Sequence, residues 1–211
     1  VKEALSDLVV IAAPVFGGRI PALVTEQLRS LNGTGKKAVT LVVYGNRAYD
    51  DALLELNDAA VQSGFAVVAS GAFIAQHSMK PEVGAGRPDG EDLAVIREFA
   101  NQVLKKLENG IDGRVQVPGN RPYRNEMQVV MTPVCLPACN QCGTCERICP
   151  TGAIHLENGA VATDLKKCIL CMACAAHCPE NARILPTPMQ ESMEKKLGAL
   201  RSVRKENEYF L

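Results

Sequence analysis

Residues 134–150 read VCLPACNQCGTCERICP, with five cysteines in seventeen positions. Cys139, Cys142 and Cys145 recur at every third residue, and Cys149 follows one place late, just before Pro150. A second stretch, CILCMACAAHCP, repeats the cadence with Cys168, Cys171, Cys174, Cys178 and Pro179. Three thiolates at this spacing reach three corners of a compact iron-sulfur cube from one tight loop of backbone, and the fourth corner needs a distant cysteine. In a C-x2-C-x2-C-x3-C-P run the fourth cysteine serves the other cluster, which accounts for the late position of Cys149. The expected ligand sets are Cys139, Cys142, Cys145 and Cys178 on one 4Fe-4S cluster, and Cys168, Cys171, Cys174 and Cys149 on the other. Structural zinc is the competing reading. It also takes four cysteines, but normally as two C-x2-C pairs separated by a loop, which three equally spaced cysteines fit poorly. Cys135 stands outside both motifs and reads as a packed or free thiol, with a redox or exchange role as the alternative. His155 and His177 read as non-ligands, because the cysteines complete the ligation.

All nine cysteines fall between residues 135 and 178. A secreted disulfide framework spreads its cysteines through a small fold, so this clustering points to metal and to a reducing, cytoplasmic setting. Up to Asp112 there are 11 basic and 14 acidic residues, and after it 12 and 9. Neither part is basic enough to indicate nucleic acid. No apolar run approaches the ~18 residues of a membrane span, and no charged leader followed by an apolar core opens the chain. The chain reads as soluble and unexported.

The elements ahead of the cysteines alternate. DLVVIAAP (7–14) is a continuous apolar run, the pattern of a strand buried on both faces of a parallel sheet. Pro21 suits a first helical turn, Leu23, Val24, Leu28 and Leu31 recur at helical spacing, and Gly33 is placed to cap the helix end. AVTLVV (38–43), the helix ALLELNDAAVQ ending at Gly64, and the strand FAVVAS (65–70) continue the plan. Asp89 caps a further helix carrying Leu93, Ile96, Phe99, Val103, Leu104 and Leu107. The fold class is therefore α/β with a parallel sheet over residues 1–113, followed by a linker (114–134) rich in Gly, Pro, Arg and Asn. The boundary is expected near Arg114. Within the cysteine region (135–188), AIHL and AVAT form a hairpin through Glu157, Asn158 and Gly159. Residues 189–211 are expected to close the chain, with an amphipathic helix over 189–207 that carries Met189, Met193, Leu197, Leu200 and Val203 on one side.

Residues 135 to about 185, with Pro150 and Pro179 after each fourth cysteine, closely resemble a bacterial two-cluster 4Fe-4S ferredoxin. The resemblance implies a pseudo-twofold fold of loops, short helices and hairpins, and one-electron transfer as the function. Ile148, Ile154, Ile169, Leu170 and Ile184 are expected to form an apolar shell that tunes potential, and equally to pack a core. Two earlier loops, PVFGG (14–18) and YGNRAYDD (44–51), follow strands and so lie at the carboxyl edge of the sheet, where open α/β sheets bind ligands. Here residues 7 to about 109 resemble the later part of a flavodoxin-like fold. The likeness implies FMN contact from Phe16, Gly17, Tyr44, Gly45, Asn46 and Tyr49, with Tyr49 stacking on the ring and Asn46 bonding its polar edge. Arg47 and Asp50 read as a loop ion pair and a helix cap, and His77 as a satisfied loop histidine. The order of a flavodoxin-like sheet is 2-1-3-4-5, with the phosphate held after the first strand. Val1 stands close to what corresponds to the third strand. About fifty residues carrying two strands and a phosphate loop are expected upstream, or else a partner chain covering the strand. NGTGK (32–36) runs from helix to strand, the wrong polarity for a phosphate site.

The whole chain thus resembles bacterial fusions of a flavodoxin-like domain with a two-cluster ferredoxin. Three functions follow from that resemblance. One is an electron-transfer protein passing single electrons through two clusters to or from FMN. Another is a flavin-dependent oxidoreductase that uses the ferredoxin part as its electron inlet. The third is a two-cluster ferredoxin whose flavin-free α/β domain docks a redox partner protein.

Overall fold

The computed structural model describes residues 2–3, 7–110, 113 and 115–211. In chain order the elements are β1 (Lys2–Glu3), β2 (Leu8–Pro14), α1 (Ala22–Arg29), β3 (Leu31–Asn32), β4 (Lys37–Tyr44), α2 (Ala52–Gln62), β5 (Ala66–Ile74), α3 (Gly90–Glu108), β6 (Val134–Cys135), α4 (Thr144–Ile148), β7 (Ile154–Glu157), β8 (Ala160–Thr163), α5 (Ala173–Ala176), β9 (Arg183–Ile184), α6 (Thr187–Leu197) and β10 (Glu208–Phe210). They divide into two compact units. The described residues of 1–77, 82–126 and 200–211 make the first, and 78–81 with 127–199 make the second. The boundary expected near Arg114 falls outside the described residues.

The first unit is a four-stranded sheet in the order β10-β5-β4-β2, with β2, β4 and β5 parallel and β10 antiparallel to β5. One face packs Val42, Ile74 and Phe65 against Leu53 and Leu56 of α2. The opposite face packs Val39, Val68 and Phe73 against Phe99 and Val103 of α3. The central strand β4 is therefore covered on both sides, as its unbroken apolar run requires. β2 departs from the two-faced burial expected of DLVVIAAP. Ile11 and Ala13 are buried on the α2 side of the sheet while Val10, on the other face, is 60% exposed, so β2 is packed on one face and not both.

Gly33 does not cap α1, which ends at Arg29 with Ser30 as its cap. Its role is a close approach, since a Cβ there would lie 2.4 Å from the Phe65 ring. Asp89 does cap α3. Its side chain accepts from the amides of Glu91 and Asp92, and Asp92 reaches back to the Asp89 amide in a capping box.

The chain end departs most from expectation. α6 stops at Leu197 and a short 3-10 turn spans Gly198–Leu200. Val203 is 41% exposed instead of facing inward with Met189 and Leu197. The final residues form β10, because the free edge of β5 offers an unpaired ladder that an extended segment satisfies. Tyr209 then packs on Phe99, with ring centroids 5.2 Å apart. Asn207 and Lys205 meet a buried ion pair between Arg87 and Asp92: Asn207 Nδ2 donates to Asp92 Oδ1 at 2.8 Å, and Arg87 Nη1 donates to the Lys205 carbonyl at 2.6 Å.

The expected linker splits. Asn120 and Arg124 donate backbone N–H groups to the Asp51 carboxylate at 2.8 and 2.7 Å, and Arg121 pairs with Asp58. Arg19 binds Glu55 through two 2.7 Å hydrogen bonds and donates to the Arg124 carbonyl at 2.6 Å. The later residues Met127, Val129 and Met131 pack instead on Leu170, Met172, Leu185 and Met189, the core of the second unit. There β6 pairs with β9, and β7 with β8. Asn158 and Gly159 join the β7–β8 hairpin with φ of 49° and 72°, the left-handed pair that a two-residue I′ turn needs. No described helix is long and apolar enough to cross a membrane.

Candidate metal centre

Each cysteine motif folds the same way. Gln141 and Leu170, one residue before the second cysteine, have φ of 59° and 54°, and Gly143 and Met172, one residue after it, have φ of 72° and 63°. Alternating left-handed residues with ordinary ones curls the backbone so that successive amides point inward, the arrangement that cradles anionic groups. The short helices α4 and α5 start at once after Gly143 and Met172. Each fourth cysteine is then held by the amide four residues on: Ala153 N donates to Cys149 Sγ and Ala182 N to Cys178 Sγ, both at 3.3 Å. Ala153 and Ala182 have no exposed surface, so a larger side chain has no room at either position.

These loops surround two hollows. Cys139, Cys142, Cys145 and Cys178 line the first, together with Cys135. Cys149, Cys168, Cys171 and Cys174 line the second, with Ile154, Ile169 and Leu170 beside them. The first opens to solvent through the exposed Cys142, whereas Cys174 in the second is only 8% exposed. All nine cysteines are free thiols. Among the described residues, no three His, Cys, Asp or Glu side chains are placed to hold one metal ion. The thiols line the walls of a space that a multi-atom cube suits. Burial pushes the thiols of Cys145, Cys168 and Cys174 up, and a bound cation such as ligated iron favours their thiolate form. A thiolate-only donor set in a partly apolar hollow fits a 4Fe-4S cluster. His155 lies in β7 opposite Ala162, and His177 Nδ1 lies 3.1 Å from the Ala173 carbonyl; neither lines a hollow.

Arg183 is the site residue that cysteine spacing does not reveal. It is 4% exposed and lines both hollows. Nη1 donates to Cys135 Sγ at 3.3 Å and Nη2 donates to Thr163 Oγ1, while Nε is buried without a hydrogen-bond partner. The signal available in the sequence is its register: Arg183 follows Cys178 by five residues, where Ile154 follows Cys149 by five.

At the carboxyl edge of the first unit's sheet, PVFGG and YGNRAYDD are tied together by the Asp51 amide donating to the Gly18 carbonyl at 3.1 Å. Gly17 has φ of 62° and Phe16 bridges back to Arg19. The side-chain roles expected of this loop pair are taken up internally. Tyr49 is 7% exposed, packs edge-on against the buried Tyr44 at 5.4 Å, and donates to Glu208 Oε2 at 2.7 Å. Asn46 has no exposed surface; its Nδ2 donates to the Val203 carbonyl at 2.6 Å and its Oδ1 accepts from the Lys205 amide. The reason is the chain end: Val203 and Lys205 ahead of β10 meet Asn46, and Glu208 at the start of β10 meets Tyr49. Tyr49 has no stacking face and Asn46 no amide to offer a ring. Gly45 is required there because a Cβ would lie 2.5 Å from the His77 ring. Arg47 does pair with Asp50, but Asp50 does not cap α2; it binds Arg124 as well, and Asp51 takes the N-cap position.

Comparison with known proteins bears on the cysteine region. Residues 138–183 match the family described as the 4Fe-4S dicluster domain. The ferredoxin-like protein in nif region of Sinorhizobium fredii is 39% identical over 54 residues, 23% of this chain and 84% of that protein. The thiosulfate reductase electron transfer subunit PhsB of Salmonella typhi is 35% identical over 89 residues, 41% of this chain and 46% of PhsB. One component of an ion-translocating oxidoreductase complex from Methanosarcina acetivorans is 43% identical over 49 residues, 23% of this chain and 19% of that component. The chain thus spans less than half the length of these last two relatives.

Proposed function

Because the chain belongs, through residues 138–183, to the 4Fe-4S dicluster ferredoxins, we propose that it passes single electrons through two 4Fe-4S clusters. One is held by Cys139, Cys142, Cys145 and Cys178, the other by Cys168, Cys171, Cys174 and Cys149. The observation that carries this reading is the pair of hollows, each lined by three thiols from one motif and the fourth thiol from the other. When bound, each cluster accepts or gives one electron without a proton. The chain's own groups hold the cube, screen it from water and set its potential through amide-to-sulfur hydrogen bonds such as those from Ala153 and Ala182. The names of two relatives, one an electron transfer protein and the other a component of an oxidoreductase complex, support a redox partner protein. Iron and acid-labile sulfide in anaerobically purified protein test the reading: about eight of each per chain are expected, and zinc in their place refutes it.

A second reading adds FMN at the carboxyl edge of a flavodoxin-like sheet. It is supported by the parallel order of β2, β4 and β5 and by the PVFGG and YGNRAYDD loops being tied side by side there, in the position where open α/β sheets bind ligands. The contacts are then backbone groups of Gly17, Gly45 and Arg47 with the Phe16 side chain, not the rings and amide of Tyr44, Tyr49 and Asn46. Acid release of about one FMN per chain supports this reading; none, with iron and sulfide intact, favours a docking role for the α/β unit.

A further inference from the structure

The two motifs are near-copies in backbone, and their equivalence breaks at one buried charge. Five residues after its fourth cysteine the first copy has Ile154 and the second has Arg183, 3% and 4% exposed. The preceding residues match: Ala153 and Ala182 both donate to cysteine sulfur, and Gly152 and Asn181 both have positive φ. An arginine there needs a counter-charge, because moving a cation out of water costs several kcal/mol unless it is paired. The hydrogen-bond partners of Arg183 are a thiol and a hydroxyl, not a carboxylate, and its Nε has none. The guanidinium lies beside Cys174 of the second ligand set and near Cys145 of the first, and Nη1 also touches Cys135, which belongs to neither set. Negative charge near Arg183 therefore comes from the two thiolate sets, one on each side.

We propose that Arg183 is the shared counter-ion of the two clusters, a tuning residue that raises the reduction potential of both. The inference rests on the two-cluster reading above. On reduction one electron enters a cluster, its charge becomes one unit more negative, and the guanidinium keeps its proton. A fixed cation stabilises that more negative state, and in a site shielded from water it does so strongly. Lysine supplies the charge without the planar fork, so it replaces the electrostatic effect in part.

The test is an EPR-monitored redox titration of the full chain and of Arg183→Gln and Arg183→Lys, after iron and sulfide counts. Two clusters in the unsubstituted protein are the premise; their absence refutes the functional reading, whatever Arg183 does. Given two clusters, Arg183→Gln is expected to make reduction of each at least tenfold less favourable, 59 mV for one electron, with Arg183→Lys in between. Unchanged potentials in Arg183→Gln overturn the inference, and a fall at one cluster alone overturns the sharing. Should Arg183→Gln lose its clusters, Arg183→Lys decides: two retained clusters support a charge requirement, and their loss marks a packing role and overturns the proposal.

Discussion

Replacing Cys149 by alanine separates the crossed arrangement of ligands from the simpler one in which each motif serves itself. Cys149 belongs in sequence to the first motif, but its thiol lines the second hollow with Cys168, Cys171 and Cys174. Removing it leaves that hollow with three thiols and the other with all four of its expected ligands. Iron is then expected to fall from about eight to about four atoms per chain. A single variant does not say which cluster was lost, but pairs do. Cys149→Ala combined with Cys174→Ala strikes one hollow twice and is expected to keep about four iron atoms, whereas Cys149→Ala with Cys142→Ala strikes both and is expected to keep none. Arrangement by motif demands the reverse pattern. Iron and sulfide analysis read against EPR of the reduced protein measures the outcome. Loss of all iron from Cys149→Ala/Cys174→Ala, with about half retained in Cys149→Ala/Cys142→Ala, refutes the crossed reading.

Two further substitutions probe the frame that carries the site. Asp92 is 1% exposed, and the Arg87 guanidinium holds its carboxylate well below the usual range. Asp92→Asn leaves Arg87 buried without its partner, so chemical denaturation followed by circular dichroism is expected to show a loss of about 3–5 kcal/mol at neutral pH. Because the folded pKa is depressed, the ionised pair stabilises the fold above the unfolded value near about 4 and loses that contribution as pH falls toward the folded value; Asp92→Asn should flatten stability against pH in that acid window, and an unchanged slope there counts against the pair. Gly33→Ala places a methyl group 2.4 Å from the Phe65 ring, and overpacking of this kind costs about 1–3 kcal/mol. A variant as stable as the parent by the same denaturation assay contradicts that contact.

The 4Fe-4S dicluster character of residues 138–183 was legible because the motif is local. Three cysteines within seven residues share one loop, and a fourth stands just past the end of a short helix, at Cys149 and Cys178. The alternation of apolar strands with helices was legible for a similar reason: burial on both faces leaves an unbroken run in β4, and helical spacing marks α2 and α3. The capping box at Asp89 and the turn at Asn158 and Gly159 are likewise set by neighbours in sequence. What sequence periodicity did not reveal depends on contacts between residues far apart. Asn46 meets Val203 across 157 positions and Tyr49 meets Glu208 across 159, so nothing local announces that the tail occupies the side chains expected at a ring-binding loop. Residues 201–207 read as helix because their apolar spacing permits it, but α6 ends at Leu197 and the chain runs on to β10, which pairs with the open edge of β5. Arg183 shows the same division. Its position five residues after Cys178 is written in the chain, but its burial between two thiol sets, with one N–H left over, arises only where the two motifs fold against each other.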